Sequence, residues 1–194
     1  MKTIYVLILL LLVSRTSDLL AQESDPKVYS WEEARVSDPD TIYGISFAKM
    51  KLSSLPEELA KFQKLKVLDL QKNKLTKLPD FIGDMKQLTR LDVAKNKLSV
   101  FPMVVCRMSS LEQLILNRNL FEKIPECIEY ASSLKYIDLY DTPIRDLPGT
   151  LVNLKNLEKI DFSGIRFAPS FQEKWNSLLP EVDLVFDEGC DCME

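Results

Sequence analysis

Apolar residues along this chain return in phase. The pattern L-x-x-L-x-L, with other apolar residues standing in for leucine, occurs at Ile42/Ile45/Phe47, Leu65/Leu68/Leu70, Leu88/Leu91/Val93, Leu111/Leu114/Leu116, Leu134/Ile137/Leu139 and Leu157/Ile160/Phe162, at one constant interval. A further copy, Leu179/Val182/Leu184, arrives one position early against that interval. Pro56, Pro79, Pro102, Pro125 and Pro148 keep the same period, each closing a short apolar pair such as Leu75/Leu78 or Leu98/Phe101. Within the pattern the fourth and sixth positions share one face of a short strand, while the third and fifth point the other way. One face is therefore core and the other is free. One such coil cannot bury its own apolar side chains, so coils must stack and pair their strands in a parallel sheet, at about 4.8 Å per step. The proline removes a donor and sets φ where the chain leaves the sheet. The apolar residue three positions later (Leu59, Ile82, Val105, Ile128, Leu151) should turn inward from a short helical turn.

Both ends carry sequence suited to closing such a stack. Ser30 and Glu33 form a capping box opening a short helix that reaches about Val36, and Asp38-Pro39-Asp40 turns the chain into the first strand. Val28, Trp31 and Ala34 are expected to cover the first coil's apolar edge. At the other end Ser170 and Glu173 are expected to form a second box, opening a helix with Phe171, Trp175 and Leu178 on its inner side.

Spacing, residue type and trailing proline together resemble the leucine-rich repeat family, most closely its 23-residue class found in Ras-group and Ras-suppressor-like proteins, over roughly Ile42 to Phe186. The resemblance implies an α/β solenoid: a right-handed coil with a parallel sheet on the concave face and short helices or turns on the convex face. Asn73, Asn96 and Asn119 occupy the family's asparagine position, where the side-chain amide is expected to satisfy backbone groups of the turn after the strand. Met50, Thr142 and Ile165 replace it elsewhere, so the outer coils should be less regular.

Composition narrows the chemistry. The 194 residues include no His, which removes Ser-His and Cys-His nucleophile pairs and His-based zinc sites. Five scattered glycines offer no phosphate-cradling motif, and a formal charge of -4 argues against nucleic acid as the main partner. Lys2 precedes an apolar run from Ile4 to Val13, about half of what crosses a bilayer, with Ala21 at a suitable cleavage position. The chain then divides into a signal peptide (1–21), an N-terminal cap (22–41), the repeats (42–164), a C-terminal cap helix with the last strand (165–186), and an acidic Cys-containing tail (187–194). Export to the medium, periplasm or cell surface follows, with no transmembrane anchor after signal removal. Four Cys in an exported chain point to disulfides. Cys106 and Cys127 share the convex side of adjacent coils and can bridge, while Cys190-Asp191-Cys192 would close a very tight ring.

The free strand face is where repeat proteins usually bind. Its fifth-position column reads Ser46, Asp69, Asp92, Ile115, Asp138, Asp161 and Asp183, an acidic stripe. Three positions on stand Lys49, Lys72, Lys95, Arg118, Asp141 and Gly164, which could neutralise it. The stripe is either a self-neutralising solvated surface or a docking strip for a charged peptide or glycan. Tyr136 and Tyr140 flank Asp138, and tyrosine buries large area at small rotamer cost. The candidate binding residues are therefore Asp69, Lys72, Asp92, Lys95, Arg118, Tyr136, Asp138 and Tyr140. No catalytic residue, metal site or cofactor is expected, since repeated carboxylates on an open ridge lack the pocket and divergent environments that acid and base chemistry needs. The expected protein is a monomeric, non-catalytic binding module for a protein or glycan. The alternatives are an envelope-associated scaffold without a specific ligand and, less favoured, a carboxylate-based hydrolase.

Overall fold

The structure is a computed structural model that describes residues 25–187. Eight strands form one parallel sheet in strict chain order: β1 Tyr29–Ser30, β2 Gly44–Ser46, β3 Val67–Asp69, β4 Arg90–Asp92, β5 Gln113–Ile115, β6 Tyr136–Asp138, β7 Lys159–Asp161 and β8 Asp183–Val185. Two α-helices stand near the ends, α1 Trp31–Ala34 and α2 Pro169–Leu178. Between consecutive strands from β2 to β7 the chain crosses the back of the sheet in short 3-10 turns: Glu57–Lys61, Asp80–Asp84, Met103–Arg107, Glu126–Tyr130 and Gly149–Asn153. Each turn begins directly after one of the periodic prolines. The architecture is the α/β solenoid that the hydrophobic phase requires.

Register confirms the phase from β2 to β7. Ile45, Leu68, Leu91, Leu114, Ile137 and Ile160 lie opposite one another in successive strands. Each is at most 1% exposed, and the sixth-position residues Phe47, Leu70, Val93, Leu116, Leu139 and Phe162 are fully buried. Leu59, Ile82, Val105, Ile128 and Leu151 are fully buried from the opposite side. Side chains from strand and turn thus meet in one continuous core, each contributing about 2 kcal/mol of apolar burial.

The last strand is out of the expected phase. Leu184 pairs with Ile160 and Asp183 with Lys159, so Leu184 takes a fourth-position place and Asp183 a third-position one. Helix α2 replaces the short 3-10 turn, and the chain returns to the sheet later in its count. Phe186 fills the sixth-position place and stacks on Phe162 with ring centroids 5.3 Å apart. The aspartate column therefore ends at Asp161, beside Val185 rather than Asp183.

The caps also divide. At the first end the Ser30/Glu33 box forms as expected: the Glu33 amide reaches the Ser30 hydroxyl at 3.4 Å, and Glu33 accepts the Ser30 amide at 2.9 Å. The Ser30 hydroxyl, which donates to the Glu33 carboxylate at 2.7 Å, and then the Ser30 amide hold that carboxyl below its ordinary pKa. Trp31 stacks on Phe47 at 4.9 Å and Ala34 is fully buried, but Val28 is 44% exposed and covers little. At the far end the second box does not form. Ala168 caps α2 without a side-chain bond, and Ser170 lies inside the helix behind Pro169, which takes the first helical position. Trp175 is buried as expected, whereas Leu178 is exposed and Leu179 is the buried residue.

Cys106 and Cys127 form a disulfide between the third and fourth of the 3-10 turns, with Cα atoms 5.5 Å apart. The expected signal peptide and the Cys190-Asp191-Cys192 tail lie outside the described residues.

Candidate functional site

The solvent side of the sheet carries four columns of polar side chains, and their local roles differ. In the fifth-position column each aspartate accepts the amide of the residue two positions on: Gln71 to Asp69 at 3.0 Å, Ala94 to Asp92 at 2.9 Å, Tyr140 to Asp138 at 2.9 Å and Ser163 to Asp161 at 2.8 Å. Aspartate recurs here because its short side chain closes the turn that ends the strand. The second oxygen is also engaged in two cases: Ser46 donates its hydroxyl to Asp69 at 2.9 Å, and Asn117 donates to Asp138 at 2.6 Å. Asp92 is only 8% exposed. Burial raises its pKa, and the neighbouring Asp69 carboxylate adds to the rise, against the Ala94 amide that lowers it.

The basic column sits in a different backbone state. Lys49, Lys72, Lys95, Arg118 and Asp141 all have φ between 51° and 64°, and Gly164 closes the series at 80°. These residues turn the chain sharply out of the strand in the left-handed region, which disfavours side chains other than glycine. What holds them there is the next coil: each amide donates to it, Lys72 to Ala94 at 2.8 Å, Lys95 to Asn117 at 2.8 Å and Arg118 to Tyr140 at 2.9 Å. The lysines are exposed and make no ion pair with the aspartates among the described residues. Neutralisation instead runs in the second- and third-position columns, through Glu112 with Lys135 and Lys159 with Asp183, both at 2.8 Å. These pairs hold the Lys135 and Lys159 ammonium groups above their ordinary pKa. The sequence holds this signal as opposite charges one repeat apart, outside the two columns that looked informative.

Beyond the aspartates, Arg118 and Tyr140 come together. The Arg118 guanidinium stands over the Tyr140 ring at 5.1 Å, donates to its hydroxyl at 3.4 Å and pairs with Asp141 at 3.1 Å. Those contacts, the hydroxyl first, hold the guanidinium above its usual pKa. Tyr136 stands on the far side of Asp138, between Gln113 and Lys159, and is half-buried. Burial, then the Asp138 and Asp161 carboxylates, push its phenol up to about 12. The coils that start at β5 and β6 therefore bring an aromatic ring, a cation and a protonated hydroxyl to one stretch of surface, while Asp69, Lys72, Asp92 and Lys95 lie on earlier coils.

A family model described as leucine rich repeat matches residues 63–121. Residues 63–121 thus carry leucine-rich repeats, and the fold of the chain is that of a leucine-rich repeat solenoid. Among solved structures, a leucine-rich repeat protein of Leptospira interrogans is 21% identical with a TM-score of 0.53, over 76% of this chain and 49% of that one. The chain spans about half the length of that neighbour. No curated protein matches it. The repeat match supports reading the chain as a protein-interaction module. Among the described residues no helix is long and apolar enough to cross a membrane, and no group of three or more Cys, Asp or Glu side chains is arranged to hold a metal ion.

Proposed function

We propose that this chain is an exported, non-catalytic recognition module that holds a protein or glycan partner on the concave face of its sheet, with the contact centred on Tyr136, Asp138, Tyr140 and Arg118. The observation that carries the reading is the Arg118–Tyr140–Asp141 arrangement. An exposed cation is held in one orientation by a ring 5.1 Å away and a carboxylate 3.1 Å away, so little side-chain freedom remains to be lost on binding. Aromatic and arginine side chains of this kind carry a disproportionate share of binding energy. The disulfide between Cys106 and Cys127 supports export to an oxidising compartment, be it the medium, the periplasm or the cell surface.

The carboxylates support binding or structure better than hydrolysis. Each aspartate in the column has an oxygen committed to a turn amide, and Ile115 interrupts the row. The test is capture from native extract by the chain starting at Gln22, compared with the double variant Tyr136→Ala/Tyr140→Ala. Loss of at least tenfold in affinity for the captured partner is expected, and unchanged affinity removes this site.

A further inference from the structure

Along the edge where the chain leaves the sheet, six lysines stand in two columns. Lys49, Lys72 and Lys95 are locked one coil apart by their backbone, the Lys49 amide donating to Gln71 at 3.0 Å and the Lys72 amide to Ala94 at 2.8 Å. Two positions on, Lys51, Lys74 and Lys97 repeat the arrangement, with the Lys74 amide donating to Leu52 at 2.8 Å and that of Lys97 to Leu75 at 2.9 Å. All six are exposed, and among the described residues none makes a side-chain hydrogen bond or an ion pair.

The backbone fixes the place of the first column but not its residue. Lys49, Lys72 and Lys95 have φ of 64°, 57° and 55°, where glycine is favoured, and Gly164 fills the equivalent place at the end of the stack. Three successive coils nevertheless carry a lysine there. Coils repeat at about 4.8 Å, so like charges stand side by side and repel. Nothing local relieves them. Residues 48–56, 71–79 and 94–102, which carry the six lysines, contain no Asp or Glu. On the sheet beside them Asp69 spends its oxygens on Gln71 and Ser46, and Asp92 is buried against the Ala94 amide. Arg118, next in the first column, is paired with Asp141, and the row of unpaired cations ends there. A chain of formal charge -4 thus gathers six unpartnered cations on one edge.

We propose that this edge is a second binding site, a seat for a linear anionic polysaccharide lying along the solenoid axis. An oxyanion placed between successive lysines removes their repulsion, and the columns offer such places over about 10 Å. Ser53, Thr76 and Ser99, one exposed hydroxyl to a coil two positions beyond the second column, suit the hydroxyls of a sugar chain. The same three stretches hold no exposed aromatic ring on which a nucleic-acid base could stack. A broad anionic surface would also meet the aspartate column, whereas a single linear chain can follow the ridge and avoid it. The site stands apart from the contact at Tyr136 and Tyr140 and does not rest on it.

The experiment measures binding of the chain from Gln22 onward to dextran sulfate, with uncharged dextran of the same length as control. Dextran sulfate should bind and dextran should not, and affinity should fall by about tenfold or more between roughly 50 and 200 mM salt. Lys72→Glu/Lys95→Glu should weaken binding by about tenfold or more, while Lys72→Arg/Lys95→Arg should keep it within about twofold. Lys61→Glu/Lys155→Glu makes the same change in net charge at exposed positions on the back of the solenoid, and should cost less than about twofold. Tyr136→Ala/Tyr140→Ala should leave this binding unchanged. Equal losses in the two glutamate pairs would reduce the effect to net charge and overturn the site, as would no binding at all. Loss on Tyr136→Ala/Tyr140→Ala would move the polyanion to the concave face and overturn the ridge. Tighter binding of single-stranded DNA or of phosphatidylglycerol vesicles than of dextran sulfate would overturn the polysaccharide.

Discussion

The coils that begin at β3, β4 and β5 differ from those that begin at β6 and β7 in their polar stack, and hardly at all in their apolar one. In the first group Asn73, Asn96 and Asn119 are buried and tie neighbouring coils together. Asn96 accepts the Leu75 amide of the previous coil at 3.0 Å and donates to the carbonyls of Leu70 and Val93 at 2.9 and 3.0 Å. In the second group Thr142 reaches the Leu116 and Tyr140 carbonyls only at 3.5 and 3.4 Å, and Ile165 has no polar atom to offer. Yet Ile137, Leu139, Ile160 and Phe162 are as deeply buried as their counterparts. Hydrophobic phase alone is enough to stack a coil, and the asparagine ladder adds a polar lock to the middle of the stack. Towards the end, where the ladder stops, the ring contacts of Phe162 with Phe167 at 5.5 Å and with Phe186 at 5.3 Å supply packing in its place.

The largest effects test the apolar stack. Leu114→Ala, in the fully buried column at the middle, should cost roughly 2–5 kcal/mol in chemical unfolding, while Leu184→Ala, its partly buried counterpart in β8, should cost under about 1.5 kcal/mol. A Leu114→Ala cost below about 0.5 kcal/mol would contradict the register. The polar stack comes next. Asn96→Ala strands the buried Leu75 amide and removes one of two donors from the Leu70 and Val93 carbonyls, which keep Asn73 and Asn119, for roughly 1–3 kcal/mol, against less than about 1 kcal/mol for Thr142→Ala. Equal costs at the two sites would remove the distinction between the groups of coils.

Much of this was legible from period alone. Repetition at a fixed interval predicted the strands, their register and the inward turns, because burial in a stacked coil demands one residue type at each phase. The Ser30/Glu33 box was legible because a local pair of side chains answers two local amides. Three features were not. The left-handed turn residues Lys72, Lys95 and Arg118 resemble a charge pattern, since the constraint that places them is a backbone angle held by the next coil. The shift at β8 depends on how far α2 carries the chain, which no periodic count contains. The stretch before β1, whose Lys27 carbonyl oxygen would lie 2.8 Å from a Cβ on Gly44, shows in sequence only as one glycine in a column of side chains, without saying what fills the space. Of the candidate site, the residue types were readable, but the aspartates' work in closing turns was not.

Smaller effects sharpen the contrast on the solvent face. Asp92→Ala leaves the buried Ala94 amide without its acceptor and should cost roughly 1–3 kcal/mol, whereas Asp92→Asn keeps an acceptor and discards a charge that burial disfavours. Because folded Asp92 has a raised pKa, it keeps its proton where the unfolded chain has lost it, so its contribution to stability falls as pH rises from the ordinary aspartate value of 3.8 through the folded one. Asp92→Asn should therefore gain on the wild type over that interval, and a difference that does not change with pH would show the carboxylate to be solvated. Tyr136 gives the last and smallest test. Its phenol should ionise near 12 while an ordinary tyrosine does so at 10.0, so stability should fall across that window and the fall should shrink in Tyr136→Phe. An ultraviolet titration in which Tyr136→Phe removes an early-ionising phenol would contradict the burial.

The most direct measurement of the central claim, a single continuous stack locked at its middle by asparagine, is native-state hydrogen exchange read at equivalent amides of successive coils. Leu75 and Leu98, whose amides donate to Asn96 and Asn119, should exchange only by global unfolding, and Phe121, at the same position before Thr142, should exchange through a smaller opening. Equal protection at all three, or faster exchange at Leu75 and Leu98 than at Phe121, would contradict the account.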